Sequence, residues 1–297
     1  MRYSTYFAIA LIATVLLTPL FIASTTAQPI EDRCRQQPHR SCVTLIAFDT
    51  VQKQTHPFHV SGSLSFLAPA IAKLGQVKDG LALASSIPEA ALQAVAIARI
   101  AEVTRDDALF DQANIILQKL TTEDQRNLAK QGVAEALARA GQTERAAAIA
   151  ETMPPTDFRT RVYSFIAAYE EGGRHMQKSL ELLRTAPVVL KAGGLSRIAA
   201  RHKSKAIADE AITAARNAKN KSEAAHALAQ IAYILGDYTL MAEAVSMARD
   251  MPVGTRLIIA EYQASLGEIA PAFDIILPVP DVDVRAYILS NIAFNMR

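Results

Sequence analysis

Residues 225–236 read Ala225-His226-Ala227-Leu228-Ala229-Gln230-Ile231-Ala232-Tyr233-Ile234-Leu235-Gly236. Leu228, Ile231, Ala232 and Leu235 fall at the three-and-four spacing that puts side chains on one face of an α-helix. Gly236 is placed to end that helix, because glycine enters the left-handed region without steric cost. Met241, Ala244, Val245 and Ala248 then form a second stripe, and Pro252 closes the unit. The same arrangement surrounds Gly141, with Val133, Leu137 and Ala140 before it and Ala146, Ile149 and Ala150 after it. Such stripes of alanine and leucine are core, and no cofactor is expected from them.

Outward from this unit the chain repeats itself. Helix-ending glycines stand at Gly75, Gly141, Gly172, Gly236 and Gly267, so the spacing is one or two multiples of about 32 residues. The missing turns fall at Arg105-Asp106 and Lys203-Ser204, where polar residues replace glycine. A second set of breaks lies half a period away, at Pro88, Thr121-Thr122, Pro154-Pro155, Pro187, Asn217 to Asn220, Pro252 and Pro278 to Pro280. A period in the low thirties, divided into two helices, is the signature of an α-solenoid. Composition agrees. The 297 residues include 54 alanines, no tryptophan and 51% hydrophobic side chains, which suits closely packed helices and excludes a disordered or disulfide-dense chain.

Gly141 with Ala146 and Pro154-Pro155, and Gly267 with Ala272 and Pro278 or Pro280, resemble the tetratricopeptide repeat. Gly75 with Gly80 and Pro88 is similar, with a smaller residue at the helix approach. Gly236 is followed at that distance by Met241, and Gly172 by Gln177, so the latter hairpin must pack differently. The family's early aromatic and leucine-glycine pair are absent. The resemblance spans residues 64–297 and implies an all-α, right-handed solenoid of about seven helical hairpins; a related hairpin repeat would read alike. It also implies a concave surface for peptides or protein segments, although fold alone warrants little about function.

The first 27 residues read as a secretory signal. Arg2 supplies the charge, residues 7–23 are apolar apart from Thr14, Thr18 and Pro19, and Thr25 and Ala27 are the small residues before a cut ahead of Gln28. An uncleaved anchor is the rival reading, since the apolar run could just span a bilayer. After Gln28 no stretch is apolar enough to cross a membrane. The expected destination is the periplasm. Residues 28–62 then form an N-terminal segment and residues 63–297 the repeat. Cys34 and Cys42, the only cysteines, read as one disulfide in an exported chain. Free thiols, or a metal shared with His39, His56 and His59, are the alternatives. Zinc sites favour closer cysteine spacing, and Pro57 keeps a regular helix from aligning the two histidines.

Catalytic motifs are absent: no Gly-x-Ser-x-Gly, His-Glu-x-x-His, P-loop or dinucleotide fingerprint occurs. Gly193-Gly194 could suggest a phosphate cradle but reads as a helix break, and Glu170-Glu171 as a solvated helix end. His175, His202 and His226 read as surface or packing residues. No cleft for paired carboxylates is evident.

Charge is near balance overall, at +2, or about +1 without Arg2, which excludes a strongly basic nucleic-acid binder. It is not evenly spread. Residues 197–221 carry seven bases against two acids, and residues 222–297 carry nine acids against four bases. Solvated helix ends explain such a cluster. A docking site for an anionic partner is the functional alternative, with Arg197, Arg201, His202, Lys203 and Lys205 as candidate contacts. The reading that follows is a non-enzymatic envelope protein that holds a protein or peptide partner. The alternatives are a cell-wall-acting enzyme with a site built across helices, and a structural solenoid that self-assembles end to end.

Overall fold

The computed structural model describes residues 29–296; the signal segment and its cleavage point lie outside the described residues. Seventeen helices and no strands occur among them. They are α1 (Ile30–Gln36), α2 (Arg40–Val51), α3 (Pro57–Lys73), α4 (Val77–Ser85), α5 (Ala90–Thr104) and α6 (Asp107–Gln118). Next come α7 (Glu123–Arg139), α8 (Thr143–Glu151), α9 (Asp157–Tyr169), α10 (Met176–Thr185), α11 (Val188–His202) and α12 (Lys205–Arg216). The chain ends with α13 (Lys221–Leu235), α14 (Tyr238–Ala248), α15 (Val253–Leu266), α16 (Ile269–Ile276) and α17 (Val282–Asn295). No helix among the described residues is long and apolar enough to cross a membrane.

The turn signals in the sequence act as expected. Gly75, Gly141, Gly172, Gly236 and Gly267 all have positive φ. Among the described residues, the two non-glycine residues in that region are Arg105 (φ 58°) and Lys203 (φ 53°), at the two positions where the spacing called for glycine. Each is followed by a helix N-cap: the Asp106 side chain accepts from the Ala108 N–H, and Ser204 from the Ile207 N–H. Such caps satisfy backbone donors that a helix start leaves open. At Gly172 the turn is longer. Gly173 also has positive φ, and Glu170 is extended and buried, accepting from the His175 backbone N–H and facing its ring at 2.7 Å. Only Glu171 of the pair read as solvated is exposed.

Each odd-numbered helix from α3 to α15 packs against the even-numbered helix that follows it, and also against the next odd-numbered helix. Small side chains permit the close approach. Ala146 and Ala272 are fully buried at the helix crossings, and a Cβ on Gly80 would lie 2.8 Å from the Ala68 carbonyl oxygen. Polar contacts repeat at the same interval: Arg99 reaches Ser65, Arg197 reaches Ser164, Arg145 reaches Asp111 and Ser222 meets Thr255, each 33 or 34 residues apart.

The repeat then closes on itself. α17 packs against α3 as every odd-numbered helix packs against the next, and it also pairs with α2, a helix from the opposite end of the chain. One apolar cluster joins Val43, Ile46, Leu64 and Leu67 to Leu289 and Ile292. Polar contacts line the seam: Lys73 Nζ donates to the Phe294 carbonyl at 2.8 Å, Gln54 donates to Asp283 at 3.0 Å, and Arg40 donates to the Met296 carbonyl. From residues 29–62, helix α2 serves as the outer partner of the last inner helix. Among the described residues the result is an inner ring of eight helices inside an outer layer. The inner helices run in the same sense, as shown by contacts between their C-terminal ends, such as His202 with the Ala167 carbonyl.

Cys34 and Cys42 are bonded, with Cα atoms 5.6 Å apart, so neither thiol is free for a metal. The histidines near them are otherwise engaged. His39 caps α2 by accepting from the Cys42 N–H, and His59 meets Asp283 at 2.7 Å. No cluster of three potential metal ligands occurs among the described residues.

Candidate functional site: a charged cavity inside the ring

Closing the ring leaves a cavity of about 460 Å³ that every inner helix lines. Most faces of these helices are occupied by small apolar residues packed against neighbours, and one narrow strip is left to point inward. That strip has the spacing of a second helical face: Arg161, Phe165 and Tyr169 on α9, and Tyr287, Asn291 and Asn295 on α17.

The lining is divided by position in the ring. Five consecutive inner helices carry cations: Lys73 on α3, Arg99 on α5, Arg139 on α7, Arg161 on α9, and Arg197 with Arg201 on α11. The remaining three carry Gln230 on α13, Glu261 and Tyr262 on α15, and Tyr287, Asn291 and Asn295 on α17. Six cations therefore face three carboxyls, Glu102, Glu135 and Glu261.

Two of those carboxyls are neutralised locally. Arg161 Nε donates to Glu135 Oε1 at 2.6 Å and Gln131 donates to the same oxygen at 2.8 Å, while Arg139 Nη1 lies 3.7 Å from Oε2. Arg139 Nε also donates to Glu102 at 2.9 Å. Burial alone would raise the Glu135 pKa, but Arg161 and Arg139 outweigh it and hold the carboxylate down at about 2. Lys73 spends its charge on the open carbonyl end of α17, which suits a cation at a helix C-terminus.

Arg99 and Arg197 are different. Neither has a carboxylate within ion-pair distance among the described residues. Arg99 Nη1 donates to the Ser65 carbonyl at 3.0 Å. That carbonyl has lost its helical partner because Pro69, four residues on, has no N–H. The bond uses one donor of the guanidinium, and Arg99 Nε is buried without a partner. Arg197 Nη1 donates to the Ser164 hydroxyl at 2.8 Å. Both guanidiniums lie over aromatic faces, Arg99 over Phe66 at 3.9 Å and Arg197 over Phe165 at 3.8 Å. Burial and the nearby Arg139 lower the Arg99 pKa to about 10; burial and the nearby Arg161 lower that of Arg197 to about 9. Both stay charged at neutral pH, in a place where charge is costly.

Glu261 stands across the ring. Its burial has no cation to oppose it; an amide hydrogen bond from Asn291 pulls the other way, and the pKa rises to about 8. At neutral pH this carboxyl is protonated and can both donate and accept.

The candidate contacts read from the sequence split in two. Arg197 and Arg201 line the cavity, with Arg201 4.3 Å from the Tyr169 ring centre. His202, Lys203 and Lys205 lie outside it. His202 bonds the Ala167 carbonyl, Lys203 is the left-handed turn residue, and Lys205 is exposed and paired with Asp209 at 2.8 Å. The basic run is thus no single patch, because successive residues point to opposite sides of one helix end. Gly193-Gly194 is no helix break either. Both sit inside α11, where a Cβ would lie 2.2 Å from Gln230 Oε1 and 2.4 Å from Leu183 Cδ2 respectively. They give room to neighbouring side chains, Gln230 of the cavity wall among them. Arg99, Arg139, Arg161 and the three carboxyls were missed by the sequence reading, as was the cavity itself. Their signal was a polar strip at three-and-four spacing on otherwise alanine-rich helices. No family model, no curated protein and no solved structure matches this chain.

Proposed function

We propose that this protein is an exported, non-enzymatic binding protein of the cell envelope, and that its ligand is an anion held inside the ring. The observation that carries the reading is the pair of cavity-lining arginines, Arg99 and Arg197, neither of which forms an ion pair with a carboxylate among the described residues. Preorganised guanidiniums at the wall of a low-dielectric cavity favour anions strongly, and they cost no rearrangement when the anion arrives. The cavity is of a size for one small molecule or one terminal group of a larger partner. The partner is accordingly a compact anionic group, in place of a long peptide laid along a concave face.

The finer fold assignment, a right-handed solenoid of seven tetratricopeptide-like hairpins, belongs to the same proposal and is supported by the spaced positive-φ turns. The Cys34–Cys42 bond supports an oxidising compartment such as the periplasm. End-to-end self-assembly is disfavoured by the pairing of α17 with α2 and α3, which covers the faces that stacking would use.

Thermal unfolding of the mature chain with pyrophosphate tests the reading. Saturable stabilisation is expected, because a ligand that binds only the folded state raises its stability by about 2.7 kcal/mol at a hundred times Kd. The double variant Arg99→Gln/Arg197→Gln should show none. Equal stabilisation of wild type and variant would place the anion elsewhere and end the proposal.

A further inference from the structure

We propose that the ligand is a phosphate monoester of a small hydroxylated body, such as a sugar or polyol phosphate, with its phosphate on the cationic arc and its hydroxyls on the uncharged arc. This rests on the reading of the cavity as an anion site and adds the chemical class. Three features of the lining select it.

The first is charge. After Glu135 and Glu102 have been matched to Arg161 and Arg139, and Lys73 to a helix end, three of the six lining cations remain: Arg99, Arg197 and the solvent-exposed Arg201. Arg99 and Arg197 alone ask for at least two negative charges, and a phosphate monoester carries about −1.5 to −2 at neutral pH. A single carboxylate would leave one guanidinium unmatched.

The second is geometry. Stacking on Phe66 and Phe165 fixes each guanidinium plane, and the bonds to Ser65 and Ser164 use only one Nη of each. The remaining Nη N–H groups can serve oxygens of a tetrahedral group. Arginine matches that oxygen-rich geometry better than a point charge does.

The third is the opposite wall. Gln230, Asn291 and Asn295 offer amides, Tyr262 and Tyr287 offer phenols, and Glu261 offers a protonated carboxyl. Every one of these groups can bond a hydroxyl, and none can balance a charge. A dicarboxylate spanning the cavity would place its second charge against this wall with no cation to meet it. A longer polyanion would meet the same wall.

Calorimetric titration of the mature full-length chain with separate ligands decides the matter. The probes are inorganic phosphate, glucose, succinate, and a set of phosphate monoesters comprising glucose 6-phosphate, ribose 5-phosphate and glycerol 3-phosphate. At least one monoester should bind ten-fold or more tighter than inorganic phosphate and than succinate, and glucose should not bind. This ranking needs no variant and so does not depend on any variant folding. Asn291→Ala should weaken the preferred monoester about ten-fold while leaving inorganic phosphate unchanged. If inorganic phosphate or succinate matches every monoester, the ester class is wrong although the anion site stands. If no probe binds, and pyrophosphate does not stabilise the chain, the anion site falls with it.

Discussion

Glu135 and Glu261 are both carboxyls on inner helices, facing one cavity, yet they rest in opposite states. Glu135 lies on the cationic arc, between Arg139 and Arg161, and is held ionised with a pKa near 2. Glu261 lies on the uncharged arc with Asn291 as its partner and is held neutral, with a pKa near 8. Burial pushes both upward. What separates them is the identity of the neighbouring helix, so the ring sorts its charges by position in the repeat order. A cavity with one ionised and one neutral half has a direction, and a ligand that fits it must have one as well.

The largest expected effect is on the pH profile of stability. Glu261 is protonated in the folded chain up to about pH 8, whereas the unfolded chain releases that proton near pH 4.5. Between those values the folded state binds more protons, so this group's contribution falls as pH rises through the window. Against Glu261→Gln, which cannot ionise, wild type should lose about 5 kcal/mol between pH 4.5 and 8 and no more above it. Glu135 has the reverse sign: its contribution is present above about pH 4.5 and is lost as pH falls toward 2. Denaturant unfolding across pH for wild type, Glu261→Gln and Glu135→Gln reads both slopes. Two slopes of the same sign would dissolve the contrast between the arcs.

Next in size is Arg139→Leu, which strips a partner from both Glu102 and Glu135. Leaving an enclosed carboxylate short of its cation costs about 3 kcal/mol. The matching removal on the other arc, Asn291→Ala, takes only an amide from a neutral carboxyl and should cost about 1 kcal/mol. Chemical denaturation at pH 7 compares them, and equal costs would mean that the arcs do not differ in charge state.

A smaller effect probes the layer behind the cationic arc. Ala146 is fully buried where α8 crosses its neighbours, and Ala146→Leu should overpack that crossing by about 2 kcal/mol. Ala272, equally buried on α16 behind the uncharged arc, should respond alike, since packing does not distinguish the arcs. The smallest change is at Glu144, whose pairing with Arg174 is exposed on both sides. Glu144→Gln should alter stability by less than about 0.5 kcal/mol in the same unfolding measurement.

Much of this could be read before any coordinates. The positive φ at Arg105 and Lys203 occurs at the two positions where the glycine interval skipped, because a turn of fixed geometry recurs whether or not glycine occupies it. Ala146 and Ala272 follow from the same interval. Local rules also misled. Gly193-Gly194 looks like a break, since glycine weakens helices, yet the space it leaves is taken by Gln230 and Leu183 from other elements. Glu170 looks solvated, yet the turn folds it back onto the His175 N–H. Arg197 and Arg201 were legible as charge, but their separation from Lys203 and Lys205 depends on which side of the helix end faces the ring.

The sequence by itself determined the helices, their repeat, the turn positions and the cysteine pairing, because each depends on residues within one period of one another. Only the tertiary structure decided that the repeat closes. That outcome is the sum of small rotations between successive hairpins, completed by contacts such as Arg40 with Met296, which are 256 residues apart. Closure is also what creates the site. Inward-facing residues spaced about one repeat apart look like isolated polar positions along the chain, and only a ring brings all of them around one cavity, where burial and neighbouring charges set their protonation states.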